Sequence, residues 1–133
     1  MIWTFTKRIY GYECDIYGHL NNANYLQLLE AARSEALFEM NLAQSTLQEK
    51  GIQLLIRYVE LNYLKSIDHD EMVTIKSCFT EMNRIKGKWV QEIYNGKGEK
   101  CFEASLIIVF ASGGKAKRLP VDVFEQLFQY MEK

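Results

Sequence analysis

Several things are scarce in this 133-residue chain. Proline occurs once, at Pro120, histidine twice, at His19 and His69, and cysteine three times, at Cys14, Cys78 and Cys101. An odd cysteine count with no C-x-x-C spacing argues against a zinc site and against a complete disulfide framework. Free thiols in a reducing cytoplasm are the expectation. Neither sign of charge is in excess: sixteen basic side chains face seventeen acidic ones, for a formal charge of −1. That balance argues against nucleic acid or a membrane surface as a partner held by overall charge, and leaves room for small basic clusters on a phosphorylated ligand. No apolar run approaches the length of a membrane span, and the opening MIWTFTKRIYGYECD lacks the apolar stretch of a signal peptide. Repeats, low-complexity tracts and linkers are also missing, so residues 1–133 are expected to form one soluble cytoplasmic domain.

What is present is clear periodicity. Ile2 to Tyr12 is rich in β-branched and aromatic residues and reads as a first strand. From about Asn22 to Met40, Tyr25, Leu29, Ala32, Ala36 and Met40 recur at helical spacing, with Leu26 and Leu37 widening the stripe. Alanine and leucine dominate there and glycine and proline are absent, which suits a long helix with Asn21 or Asn22 as its N-cap. After Gly51 the period becomes that of strands. Val59, Leu61 and Tyr63 share one face; Val73, Ile75, Ser77 and Phe79 share another; further strands run near Lys88 to Tyr94 and Phe102 to Phe110. Asn95-Gly96-Lys97-Gly98 joins the last two as a tight hairpin. Pro120 suits the first turn of a short closing helix carrying Phe124, Leu127, Phe128 and Met131. Strand, long helix, four strands, short helix implies an α+β fold in which an antiparallel sheet of about five strands curls around the central helix.

The densest chemistry precedes that helix, in DIYGHLNNANY, residues 15–25. A helix start offers unpaired backbone N–H groups and positive dipole potential. An acyl-transfer site needs donors of that kind for a developing oxyanion, together with a carboxylate as nucleophile or general base. Asp15 either supplies that carboxylate or stabilises the loop. His19 is either an acid, base or donor to a carbonyl, or a satisfied loop histidine. Gly18 either takes a backbone shape other residues resist or admits a ligand closely. Of Asn21, Asn22 and Asn24, at least one caps the helix and the others are free to orient water or a carbonyl.

The run DIYGHLNNANYLQLLEAARSEAL resembles the signature of the hotdog-fold acyl-CoA thioesterases, in the branch of 4-hydroxybenzoyl-CoA thioesterase. Asp15, Gly18, His19, Asn21, Asn22, Tyr25, Glu30 and Arg33 fill the motif's places; RYVELNYLKSIDHDEMVTIKS and Arg118-Leu119-Pro120 are similar to later parts of the family pattern. The resemblance implies a long helix wrapped by an antiparallel sheet, and homodimers joined into a larger sheet, with a homotetramer as the dimer of dimers. It implies Asp15 as nucleophile or general base on a thioester and the Asn22 backbone N–H as the group that polarises the carbonyl. Some relatives place histidine where this chain has Asn22, which leaves His19 as the nearby imidazole; relatives often carry proline where this chain has Ser66. The implied partner is an acyl-CoA or acyl-carrier thioester, with the site at the dimer interface. Coenzyme A enters as part of the substrate, and neither a metal nor a redox cofactor is implied. A hydratase or dehydratase on the same fold, or a non-catalytic acyl-thioester binding module, are the alternatives.

The remaining candidates carry two readings each. Glu30 lies two turns beyond Asn22, about 80° around the helix, and either touches the substrate or pairs with Arg33 three residues on. Arg84, Lys86 and Lys88 alternate at the start of a strand and either bind coenzyme A phosphates or form a solvated face, with Arg57 and Lys65 as weaker candidates. Tyr17, Tyr25, Tyr58 and Tyr63 line the acyl pocket or belong to the core. Cys14, beside Asp15, has no pattern of a nucleophile around it. Asp68-His69-Asp70-Glu71 reads as a polar turn between strands, not a metal cluster.

Overall fold

A computed structural model of the chain describes residues 1–132. In chain order it contains β1 (Trp3–Arg8), a 3-10 turn at Gly11–Glu13, α1 (Asn24–Glu39), α2 (Gln44–Glu49), β2 (Gln53–Tyr63), β3 (Met72–Met82), β4 (Lys86–Tyr94), β5 (Lys100–Ser112), β6 (Lys115–Ala116) and α3 (Val121–Phe128). The sheet order is β1-β3-β4-β5-β2, with every neighbouring pair antiparallel, and β6 folds back onto the end of β5. This curled sheet around a long helix is the α+β hotdog architecture expected from the sequence.

α1 faces the sheet through Tyr25, Leu28, Leu29, Ala32 and Ala36, all buried, against Val73, Ile75, Trp89, Ile93, Phe102 and Leu106. Each large aliphatic side chain so enclosed contributes about 1.5–3 kcal/mol relative to exposure. The helical stripe is the expected one with a single change: Leu28 is the residue turned inward, whereas Leu26 is exposed. On β3 the inward set is Val73, Ile75, Ser77 and Phe79, as the alternation requires. No helix among the described residues is long and apolar enough to cross a membrane.

Other elements depart from the sequence reading. β1 ends at Arg8, and Gly11–Glu13 breaks into a 3-10 turn instead of continuing the strand. α2 was not foreseen, because its six residues bury only Leu47 and carry no periodic stripe; β6 is too short to alternate. In the β4–β5 hairpin the left-handed position falls on Gly98 (φ 81°), not on Gly96, and Asn95 Oδ1 holds the turn by accepting the N–H groups of Lys97 and Glu99. α3 begins at Val121 with Pro120 as its N-cap; it buries Val123 and Leu127 and leaves Phe128 exposed.

Candidate active site

The polar loop is shaped by a ring of backbone hydrogen bonds. Cys14 and Leu20 form an isolated antiparallel bridge, the Asn21 N–H donates to the Glu13 carbonyl (2.9 Å), and the Leu20 N–H donates to the Ile67 carbonyl (2.7 Å). Asp15 therefore sits in a small closed loop clamped between the 3-10 turn and the 67–69 segment. Gly18 turns the loop with φ 79°, and a Cβ there would lie 3.3 Å from His69 Cδ2. Its role is conformational, and the substrate-contact alternative is not needed to explain it.

Asp15 is exposed and its carboxylate is used unevenly. Oδ1 accepts the N–H of Tyr17 (2.9 Å) and, at longer range, of His19 (3.4 Å), an Asx-turn that fixes the side chain. Oδ2 accepts no hydrogen bond from the described residues and faces outward from the loop's own bonding. His19 pairs through its backbone, its carbonyl accepting the Asp15 N–H (2.8 Å), while its half-exposed imidazole turns to Asp68, with Nε2 3.5 Å from Oδ1. The structure thus places the imidazole of His19 on Asp68 and its backbone on Asp15. Burial and the charges of Asp15 and Glu13 push the Cys14 thiol pKa up, so it stays protonated at neutral pH, and Sγ donates to the Tyr10 carbonyl.

The helix start is anchored from two sides. Asn21 Oδ1 accepts the Ala23 N–H (3.0 Å), one turn ahead of the first helical residue. The residue at the N-cap is Ala23, with no side-chain cap, which corrects the expectation of Asn21 or Asn22 there; Asn21 instead braces the approach to the helix through its bond to the Ala23 N–H. The Asn22 N–H has no backbone partner among the described residues, and its carbonyl accepts the Tyr63 hydroxyl (3.1 Å) from the end of β2. Asn24 Nδ2 donates to the Glu13 carbonyl (2.9 Å). Glu13 is itself buried, its carboxylate accepting the Tyr10 N–H and pairing with Lys7 Nζ at 2.6 Å. Sequence reasoning missed Glu13 and Lys7: six residues apart across a strand end, they carry no local spacing signal.

Other candidates fall elsewhere. The Tyr25 ring is core, not pocket wall: it is buried against Phe102 (centroids 4.6 Å) and Tyr63 (5.0 Å), and burial pushes its pKa up to about 12. Glu30 and Arg33 do not pair with each other. Arg33 Nη1 donates to Gln91 Oε1 at 3.1 Å, and Glu30 stays exposed at the rim of a cavity. Arg84 lies before β4, where Nε donates to the Leu119 carbonyl and pins the approach to α3. Both Arg84 and the exposed Lys86 lie beyond the far end of β3 from the Asp15 loop, a strand about 33 Å long at 3.3 Å per residue. One chain therefore does not bring them to Asp15. Asp68-His69-Asp70-Glu71 is the expected turn: Glu71 Oε2 accepts the Asp68 N–H and Asp70 takes φ 69°.

Comparison with known proteins bears on the family and the fold. The model of the Thioesterase-like superfamily matches residues 11–127. The acyl-CoA thioester hydrolase YbgC of Escherichia coli O6:H1 is 26% identical over 116 residues, covering 87% of each chain. The long-chain acyl-CoA thioesterase FadM of Escherichia coli K12 is 30% identical over 80 residues, 60% of each. A crystal structure of 4-hydroxybenzoyl-CoA thioesterase, an aspartate-to-asparagine mutant complexed with 4-hydroxybenzoyl-CoA, superimposes with a TM-score of 0.84 at 23% identity, covering 95% of this chain and 98% of that one.

Proposed function

Because the chain belongs to the Thioesterase-like superfamily, we propose that it hydrolyses an acyl-CoA thioester to a free acid and coenzyme A, with Asp15 as the catalytic carboxylate. The observation that carries this reading is the uneven use of Asp15. One carboxylate oxygen is fixed by Tyr17 and His19 N–H groups, the other is unengaged, and an unpaired Asn22 N–H stands at the adjoining helix start. Oδ2 either attacks the thioester carbonyl, forming a mixed anhydride that water then hydrolyses to the free acid, or takes a proton from the water that attacks directly. The Asn22 N–H, with the helix dipole behind it, stabilises the oxyanion that forms on attack; its collapse breaks the C–S bond and expels the coenzyme A thiolate. One such donor is typically worth about 10²–10³ in rate. His19 and the Asn21 side chain hold the loop, through the bonds already described.

The working form is a homodimer joined along β2. That strand is an edge eleven residues long, paired on one side only, and it exposes Leu55, Ile56, Tyr58 and Val59. An apolar edge of this length is a site for strand addition. A two-fold axis across β2 sets the Tyr63 end of one strand beside the Gln53 end of its partner. Arg84 and Lys86 of one protomer then approach the Asp15 loop of the other, where they can meet the phosphates of coenzyme A. Three unpaired cysteines fit a reducing cytoplasm.

The test is Asp15→Asn, assayed by thiol release from a panel of acyl-CoA and aryl-CoA esters. Turnover is expected to fall by at least about 10³ with unchanged thermal unfolding. Undiminished hydrolysis by a folded Asp15→Asn protein refutes the mechanism.

A further inference from the structure

Between the C-terminal half of α1 and the sheet lies a cavity of about 460 Å³, within the size range of small-molecule pockets. Its walls include Leu37, Leu54, Phe79, Ile108 and Leu127, and Glu30 and Gln44 stand at its exposed side, toward the β2 edge. Ser34 adds a hydroxyl, and Arg33 is the cation among these lining residues.

Arg33 is held in a way that a mere surface arginine is not. Gln91 is fully buried, and its Nε2 donates both to the Leu29 carbonyl (3.1 Å) and to Ser77 Oγ (3.0 Å). With both amide hydrogens committed, Oε1 must turn toward α1, where it accepts from Arg33 Nη1 at 3.1 Å. A guanidinium has five N–H donors. Here one meets a neutral acceptor, and no carboxylate of the described residues lies within ion-pair distance, Glu30 included. Burial lowers the Arg33 pKa, outweighing the opposing charge of Glu30. Arg33 is half-buried and its remaining N–H donors are not sealed in the interior, so they stay accessible to a ligand in the cavity. Ser77, Gln91 and the Leu29 carbonyl thus form a buried polar chain that holds one nitrogen of Arg33 and leaves its other donors free of a carboxylate partner at the cavity wall.

We propose that this cavity receives the acyl part of the thioester and that Arg33 selects acyl groups bearing an acceptor oxygen remote from the thioester carbonyl, above all a carboxylate. The proposal rests on the thioesterase reading and names its substrate class. Arg33 lies nine residues beyond the first residue of α1, about 14 Å along the helix axis at 1.5 Å per residue. The recognised oxygen therefore belongs to the far part of an extended chain, not to the reacting carbonyl. A planar fork suits the two oxygens of a carboxylate better than one hydroxyl, so the preference runs carboxylate, then hydroxyl, then methyl.

The experiment compares CoA thioesters of matched chain length ending in methyl, hydroxyl or carboxylate, over several lengths, with thioether analogues of the same three series titrated calorimetrically. The carboxylate series is expected to show the highest kcat/KM at its best length. Arg33→Met lowers the carboxylate-to-methyl ratio about tenfold, the usual weight of a hydrogen bond to a charged group. Arg33→Lys, which keeps the charge but loses the fork, lowers it less, and it serves alone should thermal unfolding show the methionine variant unfolded. Hydrolysis of all three series with a ratio that neither substitution moves overturns the proposal and leaves the thioesterase reading standing. Analogue binding with an Arg33-dependent carboxylate preference, but no hydrolysis of any thioester, upholds this proposal and refutes the reaction.

Discussion

Gln91→Leu removes a buried side chain that bonds helix to sheet through the core, and its cost follows from what it leaves behind. The Leu29 carbonyl keeps its place in the helical ladder and loses little. Ser77 Oγ, 1% exposed, loses its donor, and the Arg33 guanidinium loses its acceptor. A buried polar group left without its partner costs about 1–3 kcal/mol, more when charged, and leucine's apolar burial returns part of this. The expected loss is about 3–4 kcal/mol, a fall in Tm of roughly 10 °C for a domain of this size. Urea denaturation at one fixed protein concentration measures it. Ser77→Ala alone orphans one amide hydrogen, but in the double variant Ser77 has nothing left to orphan. The two substitutions should therefore couple by about 1 kcal/mol in a double-mutant cycle. A Gln91→Leu loss below about 1 kcal/mol with no coupling to Ser77 would mean that the bridge does not hold helix to sheet, and the placement of Arg33 would lose its basis.

Three further outcomes follow from the same geometry. Gly18→Ala forces a side chain into a left-handed position beside His69 and should cost about 1–2 kcal/mol, read by denaturation, with a larger proportional loss of kcat. The raised pKa of Tyr25 means its neutral form is favoured in the folded state, so the stability it contributes is complete below about pH 10 and is lost as pH rises toward its folded value of about 12. Tyr25→Phe should flatten the alkaline limb of the stability–pH curve across that window, and an unchanged limb refutes the assignment. Ile56→Lys, on the exposed edge of β2, should shift the protein toward monomer in analytical ultracentrifugation, with thiol release falling in parallel; a dimer that persists removes β2 from the interface.

The fold was largely legible in the sequence because each main element has a period long enough to see. Tyr25 to Met40 repeats over four turns and Val73 to Phe79 places four residues on one face, so the buried side of each is readable from the sequence, Leu26 and Leu28 apart. α2, with one buried leucine, and β6, with two residues, fall below the length at which a period exists. The site was legible in part. Asp15, Gly18 and Asn21 act locally, within a few residues of themselves, and a sequence displays local partners. The errors concern long-range partners. Arg33 has Glu30 at helical spacing, yet its bond goes to Gln91, 58 residues away. Arg84 alternates with Lys86 as if both faced solvent, yet it bonds the Leu119 carbonyl 35 residues on. Tyr25 sits in the motif, but its side chain belongs to an aromatic cluster assembled from three separate elements.

The Asx-turn at Asp15 also has a consequence in terms of symmetry. A carboxylate that rotates by half a turn about its last bond exchanges two identical oxygens, so both rotamers keep one oxygen on the Tyr17 and His19 N–H groups and leave the other available. The group is thus twofold degenerate in this arrangement, and no fraction of it is held the wrong way round. Asparagine breaks that degeneracy. Its amide oxygen alone can accept the two N–H groups, so the loop is preserved while the NH₂ is driven into the available position. An aspartate-to-asparagine change here replaces the unengaged lone pair with a donor and leaves the bonds that shape the loop in place.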